Sequence, residues 1–89
     1  MKGKLLANKV KKIMIIKSQI ILYIYDELIN GRDIKMNEIL ALYNISVRTF
    51  RRYISEINIY LCDNYKNQMV VYNHSKNSYY LSSISVENR

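Results

Sequence analysis

The chain has 89 residues, 49% of them hydrophobic, with a formal net charge of +7 and a pI near 9.6. That length allows one domain with a modest core and excludes a catalytic domain joined to a second module. The apolar fraction excludes disorder along the whole chain.

The charge balance points to an anionic partner. It is weak evidence by itself. Isoleucine, asparagine, lysine and tyrosine number 14, 10, 9 and 9, and all four have codons that begin with two A or T bases. An AT-rich bacterial, plasmid or phage genome therefore inflates the lysine count. The single cysteine, Cys62, has no partner for an internal disulfide, which suits a reducing cytoplasm.

Six lysines fall in the first seventeen positions: Lys2, Lys4, Lys9, Lys11, Lys12 and Lys17. Residues 1–12 read as a basic N-terminal arm or an extension of the first helix. Such a run is more often a solubilising tail than an arm that contacts an anionic partner. Lysines precede 13-IMII-16 and 20-IILYIY-25, as in a secretory leader. But Lys17, Ser18 and Gln19 interrupt the apolar run, and Asp26-Glu27 follow it without a small-residue cleavage site. The run is also too short to span a bilayer. The expectation is a soluble, unexported, cytoplasmic protein with no membrane partner.

A single domain is expected over residues 13–82. Ile13, Ile16, Ile20, Ile24 and Leu28 recur at helical spacing, and Gly31 stands where that helix should stop. Ile34 reads as a brief extended contact. The segment 36-MNEILALY-43 reads as a short helix burying Ile39, Leu40 and Tyr43, and Asn44 suits the sharp turn after it. Ser46 is the expected N-cap of a third helix that runs to Ile59 or Cys62. Cys62 is expected to be a small buried residue.

On that third helix Phe50, Ile54, Ile57 and Leu61 form one stripe, with Arg48, Arg52 and Ser55 opposite and Arg51 on the flank. Ile59 falls on the outer face, where it is either harmless or a subunit contact. Tyr23, Tyr43, Tyr53 and Tyr60 read as core or interface packing.

Beyond Asp63-Asn64 the residue types change. The runs 69-MVVYN-73 and 78-SYYLS-82 are rich in β-branched and aromatic residues and flank the polar loop 74-HSKN-77, which predicts a hairpin. Tyr72, Tyr79 and Tyr80 should divide between its core face and its solvent face. Residues 83–89 form a tail without a clear signal. The fold class expected is mainly α with a small β-hairpin, in the order helix, helix, helix, hairpin.

The unit 39-ILALYNISVRTFRRYI-54 resembles the helix-turn-helix of DeoR-type and WYL-type bacterial regulators. That pattern runs from an apolar residue and alanine, through asparagine or glycine and an apolar-serine pair, to threonine, an apolar residue, two arginines and aspartate. Asn44, Ile45, Ser46, Thr49, Phe50, Arg51, Arg52 and Ile54 match in order without a gap. Leu40 stands in place of the alanine and Tyr53 in place of the aspartate. The family's effector-binding domain has no counterpart within these residues, so no small-molecule effector is expected.

The resemblance implies a three-helix winged helix-turn-helix with duplex DNA as the partner, the helix of residues 46–60 in the major groove and the hairpin of residues 69–82 as wing. Base edges in that groove are read by side chains near the helix start. Arg48 can donate two parallel hydrogen bonds to a guanine, and Val47 can touch a thymine methyl. Ser46, Thr49 and the turn amides suit a phosphate. Arg51, Arg52 and Ser55 follow along the helix as backbone contacts. His74, Lys76 and Asn77 form the wing tip, placed to enter the adjacent minor groove or grip its backbone.

A small transcription regulator, working as a homodimer on paired half-sites, is the leading expectation. A DNA-processing accessory factor of a plasmid or phage, acting at a conjugation origin, in replication or in partition, is the alternative. A protein-interaction winged helix and an RNA binder remain further readings. No Gly-rich phosphate loop, metal-ligand spacing or nucleophile-base set appears. Neither an enzyme nor a cofactor is expected. His74, alone in a loop, reads as no more than a loop residue on chemistry of its own.

Overall fold

The computed structural model describes residues 17–84. Three helices precede a hairpin: α1 over residues 17–29, α2 Met36–Tyr43, α3 Val47–Asp63, then antiparallel β1 Gln68–Asn73 and β2 Ser78–Ser83. The fold is mainly helical with a small β-hairpin, the layout of a winged helix. The basic arm of residues 1–12, Ile13, Ile16 and residues 85–89 lie outside the described residues.

Each helix ends where the backbone turns left-handed. At Gly31 φ is 82°, its N–H bonds Leu28 O at 3.0 Å, and Arg32 N–H bonds Glu27 O at 3.0 Å. These paired bonds satisfy the last carbonyls of α1. Asn44 closes α2 at φ 55°, its N–H reaching Leu40 O. Tyr65 repeats the α1 pattern after α3, with φ 54°, its N–H on Cys62 O and Lys66 N–H on Leu61 O. A side chain in that conformation costs about 1 kcal/mol that glycine would avoid. Ser46 opens α3 as expected, its Oγ accepting the Thr49 N–H at 3.1 Å.

The core lies where the three helices meet the hairpin. Ile20, Ile24 and Leu28 of α1 and Phe50, Tyr53, Ile54, Ile57 and Leu61 of α3 are buried, together with Ile39, Ile34 and Val70. Full burial of a side chain as large as Phe50 contributes about 1.5–3 kcal/mol.

α2 contributes less than its sequence predicts. Only Ile39 is buried, while Leu40 and Tyr43 are half-buried. Two turns of helix present a narrow inner stripe, and the Tyr43 ring lies edge-on to the partly exposed Tyr23 at 6.2 Å. Cys62 is exposed, not buried. It follows Leu61, which is fully buried, so one further step of about 100° carries it out of the core.

The hairpin is fastened to the helices at several points. Ile34 exchanges both backbone hydrogen bonds with Tyr79, at 2.8 and 2.7 Å, and so forms the expected extended contact. Asn58 of α3 accepts the Val70 N–H at 2.7 Å and donates to Val70 O at 3.4 Å. The buried Ser78 donates to Asp33 Oδ2 at 3.1 Å.

The hairpin tyrosines do not divide cleanly between core and solvent. Tyr72 and Tyr79 are cross-strand partners and share one face, with Tyr80 opposite Val71 on the other. Tyr79 leans on Phe50 at 5.2 Å, and none of the three is fully buried.

Candidate nucleic-acid interface

The inward stripe of α3 decides what the helix shows outside. With Phe50, Ile54, Ile57 and Leu61 locked into the core, Arg48, Arg51, Arg52 and Ser55 are exposed on the other side. The first turn of α3 holds no acidic residue. Glu56, the nearest acid along the helix, is paired with Lys17 at 3.3 Å. Among the described residues none forms an ion pair with Arg48, Arg51 or Arg52.

Arg32 shows the contrast. Its Nε donates to Glu27 Oε1 at 2.9 Å, and that hydrogen bond, with the charge of Glu27, raises the guanidinium pKa above its ordinary value. The three α3 arginines thus form a cationic face without a counter-charge from the described residues, on a helix about 25 Å long.

At the start of α3 the hydroxyls have definite tasks. Ser46 Oγ accepts the Thr49 amide and donates to Thr49 Oγ1 at 3.0 Å. Ser46 is therefore occupied with the cap, and the hydroxyl proton left to offer a ligand belongs to Thr49. The first backbone bond of the helix, Phe50 N–H to Ser46 O at 2.9 Å, leaves the amides of Val47 and Arg48 ahead of it. Val47 is 36% exposed beside them, at the position from which a methyl reaches outward.

The wing tip is a built turn. Asn73 Oδ1 accepts the amides of Ser75 at 2.9 Å and Lys76 at 3.3 Å. Asn77 closes the turn at φ 51°, and its Oδ1 accepts the Tyr72 hydroxyl at 2.9 Å. The His74 ring stands edge-on to Tyr72 at 4.7 Å. His74 and Asn77 are exposed but bound to Tyr72, whereas Lys76 is exposed with no ion pair among the described residues.

The structure therefore gathers Ser46, Val47, Arg48, Thr49, Arg51, Arg52 and Ser55 onto one helix and His74, Lys76 and Asn77 onto one turn. It adds a residue that the sequence did not single out. Lys35, at the N-cap of α2, lines a cleft of about 390 Å³ with Met36, Asn37, Glu38, Tyr72 and Asn77. The extended contact at Ile34 was the available signal, because it sets the next residue beside the strand with which it pairs.

A second surface differs in chemistry. Ile21, Leu22, Tyr25, Glu56, Ile57 and Tyr60 line an apolar groove of about 340 Å³ between α1 and α3. Among the described residues no group of three His, Cys, Asp or Glu is placed to hold a metal ion, and no helix is long and apolar enough to cross a membrane. Compared with known proteins, the chain matches no family model, no curated protein and no solved structure.

Proposed function

We propose that this chain is a cytoplasmic DNA-binding protein that recognises a sequence in double-stranded DNA and serves as a small transcription regulator. The observation that carries the reading is the outward face of α3. Three arginines stand on one capped helix without an acid from the described residues to neutralise them. Such a face meets phosphates and base edges at no cost in broken internal ion pairs.

Arg48, one residue into the helix, takes the base-reading role, and Val47 touches a thymine methyl. Thr49, Arg51 and Arg52 hold the backbone, and Lys76 and Lys35 add contacts beside the wing. A processing factor at a plasmid or phage origin would use the same surface in the same way. The bound site's position relative to a promoter or an origin separates the two roles. The exposed Ile59, Leu22 and Tyr60 favour a homodimer on paired half-sites, with the apolar surface of one copy against the other.

The test is duplex binding as a function of salt, followed by selection of preferred sequences from a random duplex pool. Four phosphate contacts, from Lys35, Arg51, Arg52 and Lys76, give a slope of about −3.6 in log K against log salt, or roughly a 150-fold loss between 50 and 200 mM. Binding that ignores salt, or that single strands compete away, would overturn the duplex reading in favour of a protein or an RNA partner.

A further inference from the structure

We infer that Tyr72 is the positioning residue of the wing: its side chain ties the turn 74–77 to the start of α3 and so sets where Lys76 meets the duplex. The inference rests on the reading of duplex DNA as the ligand.

A series of rings runs from helix to wing tip. Phe50, between Thr49 and Arg51 on α3, meets Tyr79 at 5.2 Å. Tyr79 meets its cross-strand partner Tyr72 at 5.0 Å, and Tyr72 meets His74 at 4.7 Å. Edge and tilted contacts of this kind favour defined ring orientations, so they transmit position as well as burying surface. The Tyr72 hydroxyl then reaches across the turn to Asn77 Oδ1 at 2.9 Å. Asn77 is the left-handed residue that closes the turn, so the bond reaches the point where the chain reverses.

Tyr72 is 39% exposed, which invites the other reading, a platform on which a nucleic-acid base stacks. Its contacts decide against that. The ring already touches two others, and the hydroxyl already has an acceptor. Tyr72 holds the wing, and Lys76, which has no ion pair among the described residues, does the touching. A major-groove helix and a wing on the neighbouring backbone contact points a fixed distance apart on the duplex. A wing free to swing would lose entropy on each encounter, whereas a wing braced against α3 is already in place.

The experiment measures salt slope and hydroxyl-radical footprint on the selected duplex for the full chain, Tyr72→Phe, Lys76→Ala and the double variant. Thermal unfolding of each serves as the folding control. Tyr72→Phe keeps the ring and removes the hydroxyl alone. It should lower the slope by about 0.9, erase protection on the wing side and weaken binding about three- to tenfold, with the α3 footprint intact. Lys76→Ala should do the same, and the double variant should lose no more than either single change, because both act on one contact.

A purely structural tyrosine would shift unfolding without this coupling. Should Tyr72→Phe fail to fold, Asn77→Gly removes the acceptor of the same bond at a φ that glycine accepts. If Lys76→Ala lowers the slope and Tyr72→Phe does not, the inference falls while DNA binding stands. If Lys76→Ala leaves the slope unchanged, the wing is not in the interface and the inference falls with it. If the parent chain shows no salt-dependent duplex binding, the DNA reading itself falls.

Discussion

The two halves of α3 share a buried stripe and differ in what they turn outward. Over the first half, Phe50, Tyr53 and Ile54 face the core while Arg48, Arg51, Arg52 and Ser55 face solvent. Over the second, Ile57 and Leu61 face the core while Ile59 and Tyr60 stand 56% and 47% exposed, with Cys62 beside them. The core treats the helix as one rod. Its outer surface changes along its length, from cationic over the first half to a mixture of exposed apolar side chains and the acidic Asp63 over the second. A polyanion fits the first half. The second half, continuous with the apolar groove that Tyr60 lines against α1, fits another protein surface.

The strongest way to break the comparison is to remove what the halves share. Phe50→Ala should cost about 3–5 kcal/mol, read as a lower urea midpoint, because a fully buried ring leaves a cavity at the junction of α3 and the wing. A loss under about 1 kcal/mol would show that Phe50 anchors neither half.

Next in size is Arg48→Ala, which sharpens the first half. It should weaken the selected duplex by about 1–3 kcal/mol and random duplex hardly at all, measured by competition. Equal weakening on both would assign Arg48 to the backbone and leave base reading elsewhere.

The smallest effect belongs to the second half. Ile59→Lys should change unfolding free energy by no more than about 0.5 kcal/mol, since the side chain is mostly in water already. Its sedimentation should show a lighter species than the parent if this half is the subunit contact. Identical sedimentation of parent and variant would remove Ile59 from any dimer.

Most of the local architecture was legible in the residues. The helical spacing of Ile20, Ile24 and Leu28, the stop at Gly31, the left-handed Asn44 and the Ser46 cap all act within about one turn of chain, where spacing and side-chain chemistry suffice. The outward arginines followed from the same geometry, because burying Phe50, Ile54, Ile57 and Leu61 leaves Arg48 and Arg52 the opposite side. The sequence was less informative at the margins. Leu40 and Tyr43 remain half-buried because a helix as short as α2 cannot turn them all inward, and Cys62 lies one step past the end of the stripe.

What the sequence determined by itself was therefore periodic and local: which segments are helices or strands, where each stops, and which face of α3 is charged. Only the tertiary structure decided how the wing is held. Asn58 meets Val70 from 12 positions away, and Ser78 meets Asp33 from 45. Tyr72 joins Phe50 through Tyr79, and Lys35 arrives beside the wing tip through the strand pairing of Ile34. Such contacts depend on how elements close upon one another in space, and hydrophobic periodicity along the chain carries no record of that closure.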